Sequence, residues 1–120
     1  MKAEFNVSRT KDLGTAPFTN WMYELLTVTR EVDHTLAHLH EWMKAKDVDT
    51  PVIIGPAKSF IIAEPLGVVT IIGSWNYPIL TTLCPLVSAI AAGNVAVIKP
   101  SEVAPWCSHW LNTFFKRYLD

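Results

Sequence analysis

Apolar and polar positions change their rhythm along the chain, and each change marks a different element. Residues 1–17 hold no sustained period; Arg9, Lys11, Asp12 and Gly14 give turn chemistry, and the stretch reads as the frayed remnant of a preceding element. From Thr19, a possible cap, Met22, Leu25, Val32, Leu36, Leu39 and Met43 recur at helical spacing. Glu24, Arg30, Glu31, Asp33 and Glu41 take the other face, so the pattern predicts a long surface helix burying one stripe. It should end near residues 44–46, where lysines suit the negative helix end.

Thr50-Pro51 opens a second regime of short β-branched runs. Val52-Ile53-Ile54 and Phe60-Ile61-Ile62 read as the strands of a hairpin, bounded by Gly55-Pro56 and Glu64-Pro65. Residues 68–72 are nearly all apolar, as a parallel strand covered on both faces should be. Residues 73–77 break that strand, and Pro78 suits the first turn of a helix. Residues 79–92 follow as a helix apolar on every side, with Pro85 expected to kink it and Gly93-Asn94 to stop it. Val95-Ala96-Val97-Ile98 is a second covered strand, which completes a βαβ unit. A last helix over 105–119 carries Cys107, Trp110, Leu111, Phe114, Phe115 and Tyr118 on one stripe. The fold class is α/β, divided into a helical lead-in (1–50), hairpin strands (51–64) and a βαβ portion with its following helix (65–120).

Composition narrows the function classes. The 120 residues include 10 Lys plus Arg and 11 Asp plus Glu, a net charge of −1, which excludes a strongly basic nucleic-acid surface. Hydrophobic residues make up 50% and charged ones 18%, which excludes disorder. No charge occurs from Pro65 to Ile98, yet glycines and prolines cut the stretch into pieces too short for the roughly 20 residues of a bilayer span. Cys84 and Cys107 sit among apolar residues and read as buried, reduced thiols, hence a reducing compartment.

Open α/β sheets bind ligands beyond the carboxyl ends of parallel strands, which selects the loops 73–77 and 99–102. Asn76 offers amide donors to an anionic oxygen or polarised carbonyl, and Lys99 with Glu102 could grip hydroxyls or phosphate. The bland alternative is that Asn76 pins its own loop and Lys99 is merely solvated. There is neither a G-x-G-x-x-G nor a Walker sequence. His34 and His38 share a helical face, but Thr35 stands where a zinc H-E-x-x-H motif has glutamate, so the reading is a solvated face and no metal.

Four ordered motifs go further. Glu64-Pro65-Leu66-Gly67-Val68-Val69, Gly73-Ser74-Trp75-Asn76-Tyr77-Pro78, Ala89-Ile90-Ala91-Ala92-Gly93-Asn94 and Ile98-Lys99-Pro100-Ser101-Glu102 closely resemble the aldehyde dehydrogenase superfamily. The chain looks most like its class 3, fatty-aldehyde-type branch, as do Asp12-Leu13-Gly14 and the closing Tyr118-Leu119-Asp120. The likeness is weak before Ile62 and strong after it.

The resemblance implies that the chain is an N-terminal portion of such an enzyme, with residues 65–120 beginning its Rossmann-type NAD(P) domain. It implies that Asn76 is the oxyanion-hole asparagine, that Lys99 and Glu102 hold the adenosine ribose of NAD or NADP, and that Ile72, Ser74 and Trp75 floor the cofactor site. The implied reaction oxidises an aldehyde to an acid through a thiolate adduct, hydride transfer and base-assisted hydrolysis. The implied parent is a cytoplasmic homodimer without nucleic-acid partners, a further C-terminal membrane tail being left open. The family's Gly-Gln-Thr-Cys-like nucleophile, Glu-Leu-Gly-Gly-like base and Gly-Ser-Thr-x-x-Gly loop do not occur in these residues. A catalytically inactive truncated product is therefore the competing reading, and an acyl-phosphate reductase is disfavoured by Trp75-Asn76-Tyr77-Pro78.

Overall fold

The computed structural model describes residues 2–119, in the order α1 (Lys2–Leu13), α2 (Pro17–Asn20), a π-helical turn (Trp21–Leu25), α3 (Leu26–Trp42), β1 (Lys46–Val48), a 3-10 turn (Val52–Ile54), β2 (Ser59–Ile61), β3 (Val68–Ile72), α4 (Leu80–Ala91), β4 (Val95–Lys99) and α5 (Pro105–Tyr118). The βαβ unit is as expected. β3 and β4 pair in parallel from Val68↔Val95 to Ile72↔Lys99, with α4 packed on them. Gly93, at φ +79, ends α4 where an L side chain would be strained, and the Asn94 N–H closes onto the Ala89 carbonyl at 2.9 Å. The Asn94 side chain then accepts from the Gly67 N–H at 3.0 Å, which sets the two strand starts side by side.

Several expectations are corrected. The first residues are an ordered helix, α1, and no frayed remnant: Phe5 is buried against Trp110 with ring centroids 5.4 Å apart. Its Asp12 carboxylate accepts the Trp106 and Cys107 N–H groups at 3.2 and 2.7 Å, capping α5, whose own preceding residue Ala104 has no side chain to do so. Hydropathy missed α1 because polar residues carry most of that docking. The second helix begins at Pro17 after an extended Ala16, with no cap from Thr19. The expected stripe holds in part: Leu25, Val32 and Leu39 are half-buried, whereas Met22, Leu36 and Met43 are exposed, and the fully buried residues are Asn20, Glu24 and Thr35, so Glu24 faces inward and not outward as expected. The π turn contributes, since its wider i→i+5 spacing re-phases the residues on either side of it.

Val52-Ile53-Ile54 forms a 3-10 turn, not a strand, and β1 pairs antiparallel with β2 from Lys46↔Ile61 to Val48↔Ser59. Both parallel strands were expected to be covered on both faces. Here one face is covered, by Ile71, Val69, Ala96 and Ile98 against α4, and Val68, Ile72, Val95 and Val97 stay exposed on the other. Helix α4 likewise buries Thr82, Leu83 and Leu86 but leaves Ile90 half exposed, so it is not buried on every side. The core joins Ile71, Ile79, Leu83 and Leu86 to Ala104, Cys107, Trp110 and Leu111 of the α5 segment and Phe5 of α1. The α5 stripe holds at its start, whereas Tyr118 remains exposed.

Candidate functional site

Register places the sequence-predicted residues together. Ile72 and Lys99 end their strands level, and the Gly73 N–H donates to the Lys99 carbonyl at 3.0 Å, tying the two exit loops at their root. Gly73 is required there, because a Cβ would run into Thr82 Oγ1, whose hydroxyl donates to the Pro78 carbonyl at 2.7 Å. The Ser74 N–H donates to Thr81 Oγ1 at 3.0 Å, and Thr81 in turn donates to the Tyr77 carbonyl at 2.9 Å. The loop thus folds back on the first turn of α4.

Asn76 is exposed at the tip, and its Oδ1 accepts from the Ser74 hydroxyl at 2.7 Å. With the acceptor engaged, its amide N–H donors are the end offered to a ligand. On the neighbouring strand, Lys99 Nζ pairs with Glu102 on the exposed loop after β4. The Glu102 carboxyl is held below its ordinary range, first by the hydrogen bond from Lys99. Trp75 is exposed beside Asn76.

Sequence reasoning missed what lies beneath. Glu24 is wholly buried, and its Oε2 accepts the N–H groups of Ile79 and Leu80 at 2.8 and 2.9 Å, where α4 begins. Its Oε1 lies 2.6 Å from Arg9 Nε, an ionic contact rather than a directed hydrogen bond. Arg9 Nε donates to Asn20 Oδ1 at 3.3 Å, and Nη1 reaches the Asn76 carbonyl at 3.5 Å. Asn20 donates onward to Asn6 Oδ1 at 3.3 Å. Burial is the largest influence and holds the Glu24 carboxyl above its ordinary value, against the Leu80 N–H, Arg9 and the Ile79 N–H, which pull it down. Hydropathy gave no signal, since it sorts charged residues to the outside.

Neither thiol is activated. Cys107 is pushed well up by burial and by the Asp12 carboxylate, and Cys84 is raised by burial and then by Glu31. The His34 and His38 rings lie tilted with centroids 4.2 Å apart, and His38 stacks on Trp42 at 5.8 Å. Among the described residues no group of three or more His, Cys, Asp or Glu side chains could hold a metal, and no helix is long and apolar enough to cross a membrane.

The donor set fits a dinucleotide. A ribose diol needs an acceptor and a donor, which Glu102 and Lys99 present side by side and exposed, and the backbone of Ile72 lies level with Lys99.

A strand-end loop with an exposed amide, set on a βαβ unit, lies where open α/β folds place their ligand sites. Residues 4–118 match the Aldehyde dehydrogenase family, and the chain belongs to it. It is 43% identical over 109 residues to aldehyde dehydrogenase family 3 member A2 of Pongo abelii, covering 91% of this chain and 22% of that protein. It is 42% identical over 110 residues to aldehyde dehydrogenase family 3 comG of Dictyostelium discoideum, covering 92% and 23%. A solved structure titled "Substrate bound state of Staphylococcus Aureus AldH" superposes with a TM-score of 0.95 at 34% identity, covering 99% of this chain and 26% of that one. The chain therefore corresponds to a fragment of a class 3 aldehyde dehydrogenase and spans about a quarter of the length of these relatives.

Proposed function

We propose that this chain supplies the oxyanion donor and part of the dinucleotide platform for the NAD(P)-dependent oxidation of an aldehyde to a carboxylic acid. The carrying observation is Asn76: its acceptor is engaged by Ser74, and its N–H donors are left exposed at the end of β3. When a thiolate adds to the aldehyde carbon, the carbonyl electron pair moves onto oxygen, and Asn76 Nδ2–H stabilises that charge. Lys99 and Glu102 would hold the adenosine ribose over Ile72, Ser74 and Trp75. Bound there, NAD or NADP would supply the hydride acceptor.

The thiolate and the hydrolytic base come from outside these 120 residues, whose sequence holds neither motif and whose thiols are shielded. Alone, the chain is without catalysis. The unpaired thiols support a reducing, cytoplasmic setting, and the exposed apolar faces support association with further chain or a second subunit. The test sets the isolated chain beside a chimera in which it replaces the matched stretch of a family 3 relative. The chimera should form NAD(P)H with aldehyde and the isolated chain should not. Turnover by the isolated chain, lost with Cys84→Ser or Cys107→Ser, would overturn the reading.

A further inference from the structure

We infer that Glu24, held by Arg9, is a positioning residue for Asn76, an inference that rests on Asn76 being the oxyanion donor. Three features of the geometry converge on it. The Glu24 carboxylate reaches across from the π turn to take both N–H groups at the start of α4, and it is the side chain that caps this helix: Ile79, which precedes Leu80, makes no side-chain cap bond. Arg9 anchors the same carboxylate from α1 and reaches the carbonyl of Asn76 itself. Asn76 lies only Tyr77 and Pro78 away from the capped residues, and Pro78 is buried with its φ fixed by its ring, so little slack separates the cap from the amide.

A carboxyl group that accepts two N–H bonds beside a guanidinium suits this place. An unpartnered helix N-terminus favours negative charge, and Arg9, with Asn20 behind it, supplies the balancing cation. A charge pair taken wholly out of water is costly to bury, and replacing it with apolar residues is often neutral or stabilising. Its place here is explained by position: the pair joins α1, the π turn and α4 at one point beneath the oxyanion loop. The π turn belongs to the same device, since Glu24 lies within it.

The test is a double-mutant cycle in the chimera described above. Glu24→Gln keeps an oxygen for the two N–H groups but removes the charge that holds Arg9. Misplacement of a catalytic group by about 1 Å can cost a hundred-fold, so Glu24→Gln should lower kcat about ten- to a hundred-fold and leave KM for the dinucleotide within about two-fold. In an Asn76→Ala background the same change should cost less than about two-fold, because there is no longer an amide to aim. Penalties that multiply, with Asn76→Ala itself damaging, would overturn the positioning role alone. An inert Asn76→Ala would overturn the oxyanion reading and this inference with it. Should Glu24→Gln fail to fold, the neutral pair Arg9→Leu with Glu24→Gln, which leaves no lone charge buried, takes its place in the cycle. On the chain itself, Glu24→Gln should speed amide exchange at Ile79 and Leu80 about ten-fold while Val97, whose N–H faces β3, keeps its protection; unchanged exchange at Ile79 and Leu80 would also overturn it.

Discussion

The corner around Glu24 and the stretch from β1 to β2 treat charge and apolar surface in opposite ways. At the corner, Arg9 and Glu24 are 2% and 0% exposed and bonded on several sides. In the hairpin, Val52 and Ile53 are 97% and 92% exposed, and Phe60 and Ile61 are more than half exposed. The open face of β3 and β4 resembles the hairpin in this respect. The corner has its partners within these residues, whereas the hairpin and the open sheet face present surface suited to partners elsewhere. The outline agrees: a radius of gyration of 18.9 Å compares with about 13–14 Å for a compact domain of this length.

The largest consequence is association. Exposed apolar faces and free sheet edges recruit partners, so the isolated chain should self-associate at micromolar concentration in light scattering. A monodisperse 13.4 kDa monomer with cooperative thermal unfolding would show that both halves are self-sufficient. Next in size, Arg9→Met leaves Glu24 buried without its cation and should cost about 3–5 kcal/mol by urea unfolding. A loss under about 1 kcal/mol would mean that the corner is no anchor. Leu111→Ala in the closed core should cost about 2–5 kcal/mol, while Ile53→Ala should stay within about 0.5 kcal/mol. Equal losses would erase the contrast between the regions.

The smallest effect lies at Lys99 and Glu102, where the ion pair is exposed. Because the folded state depresses the Glu102 pKa, the stabilisation it brings is present above the ordinary carboxylate range and lost as pH falls through the lowered value. An NMR titration of Glu102 should have its midpoint below that range and rise toward it in 1 M salt. A midpoint at the ordinary value in low salt would show that the pair does not persist in solution.

The same contrast explains what the residues disclosed in advance. The βαβ unit was legible because Gly73, Pro78 and Gly93 punctuate its apolar runs where the elements end, even though half of each strand stays exposed. The gathering of Ile72, Ser74, Trp75, Asn76, Lys99 and Glu102 at two strand ends followed from that topology. Helix α1 was not legible, because Arg9 and Asp12 dock it through polar contacts. Nor was β1, since Lys46 and Asp47 pair through backbone bonds that need no apolar signal. Val52-Ile53-Ile54 misled in the other direction: β-branched residues favour strands only where a neighbouring strand can pair with them. Glu24 was placed outside because hydropathy cannot anticipate that a helix start elsewhere in the fold needs a carboxylate.

The central claim is that Asn76 acts on the oxygen of the aldehyde, and steady-state kinetics of Asn76→Ala in the chimera test it most directly. The account predicts a fall in kcat of about a hundred- to a thousand-fold with dinucleotide affinity nearly unchanged. An unaltered kcat, in conditions where hydride transfer or deacylation limits the rate, would contradict it and return Asn76 to the role of a residue that pins its own loop.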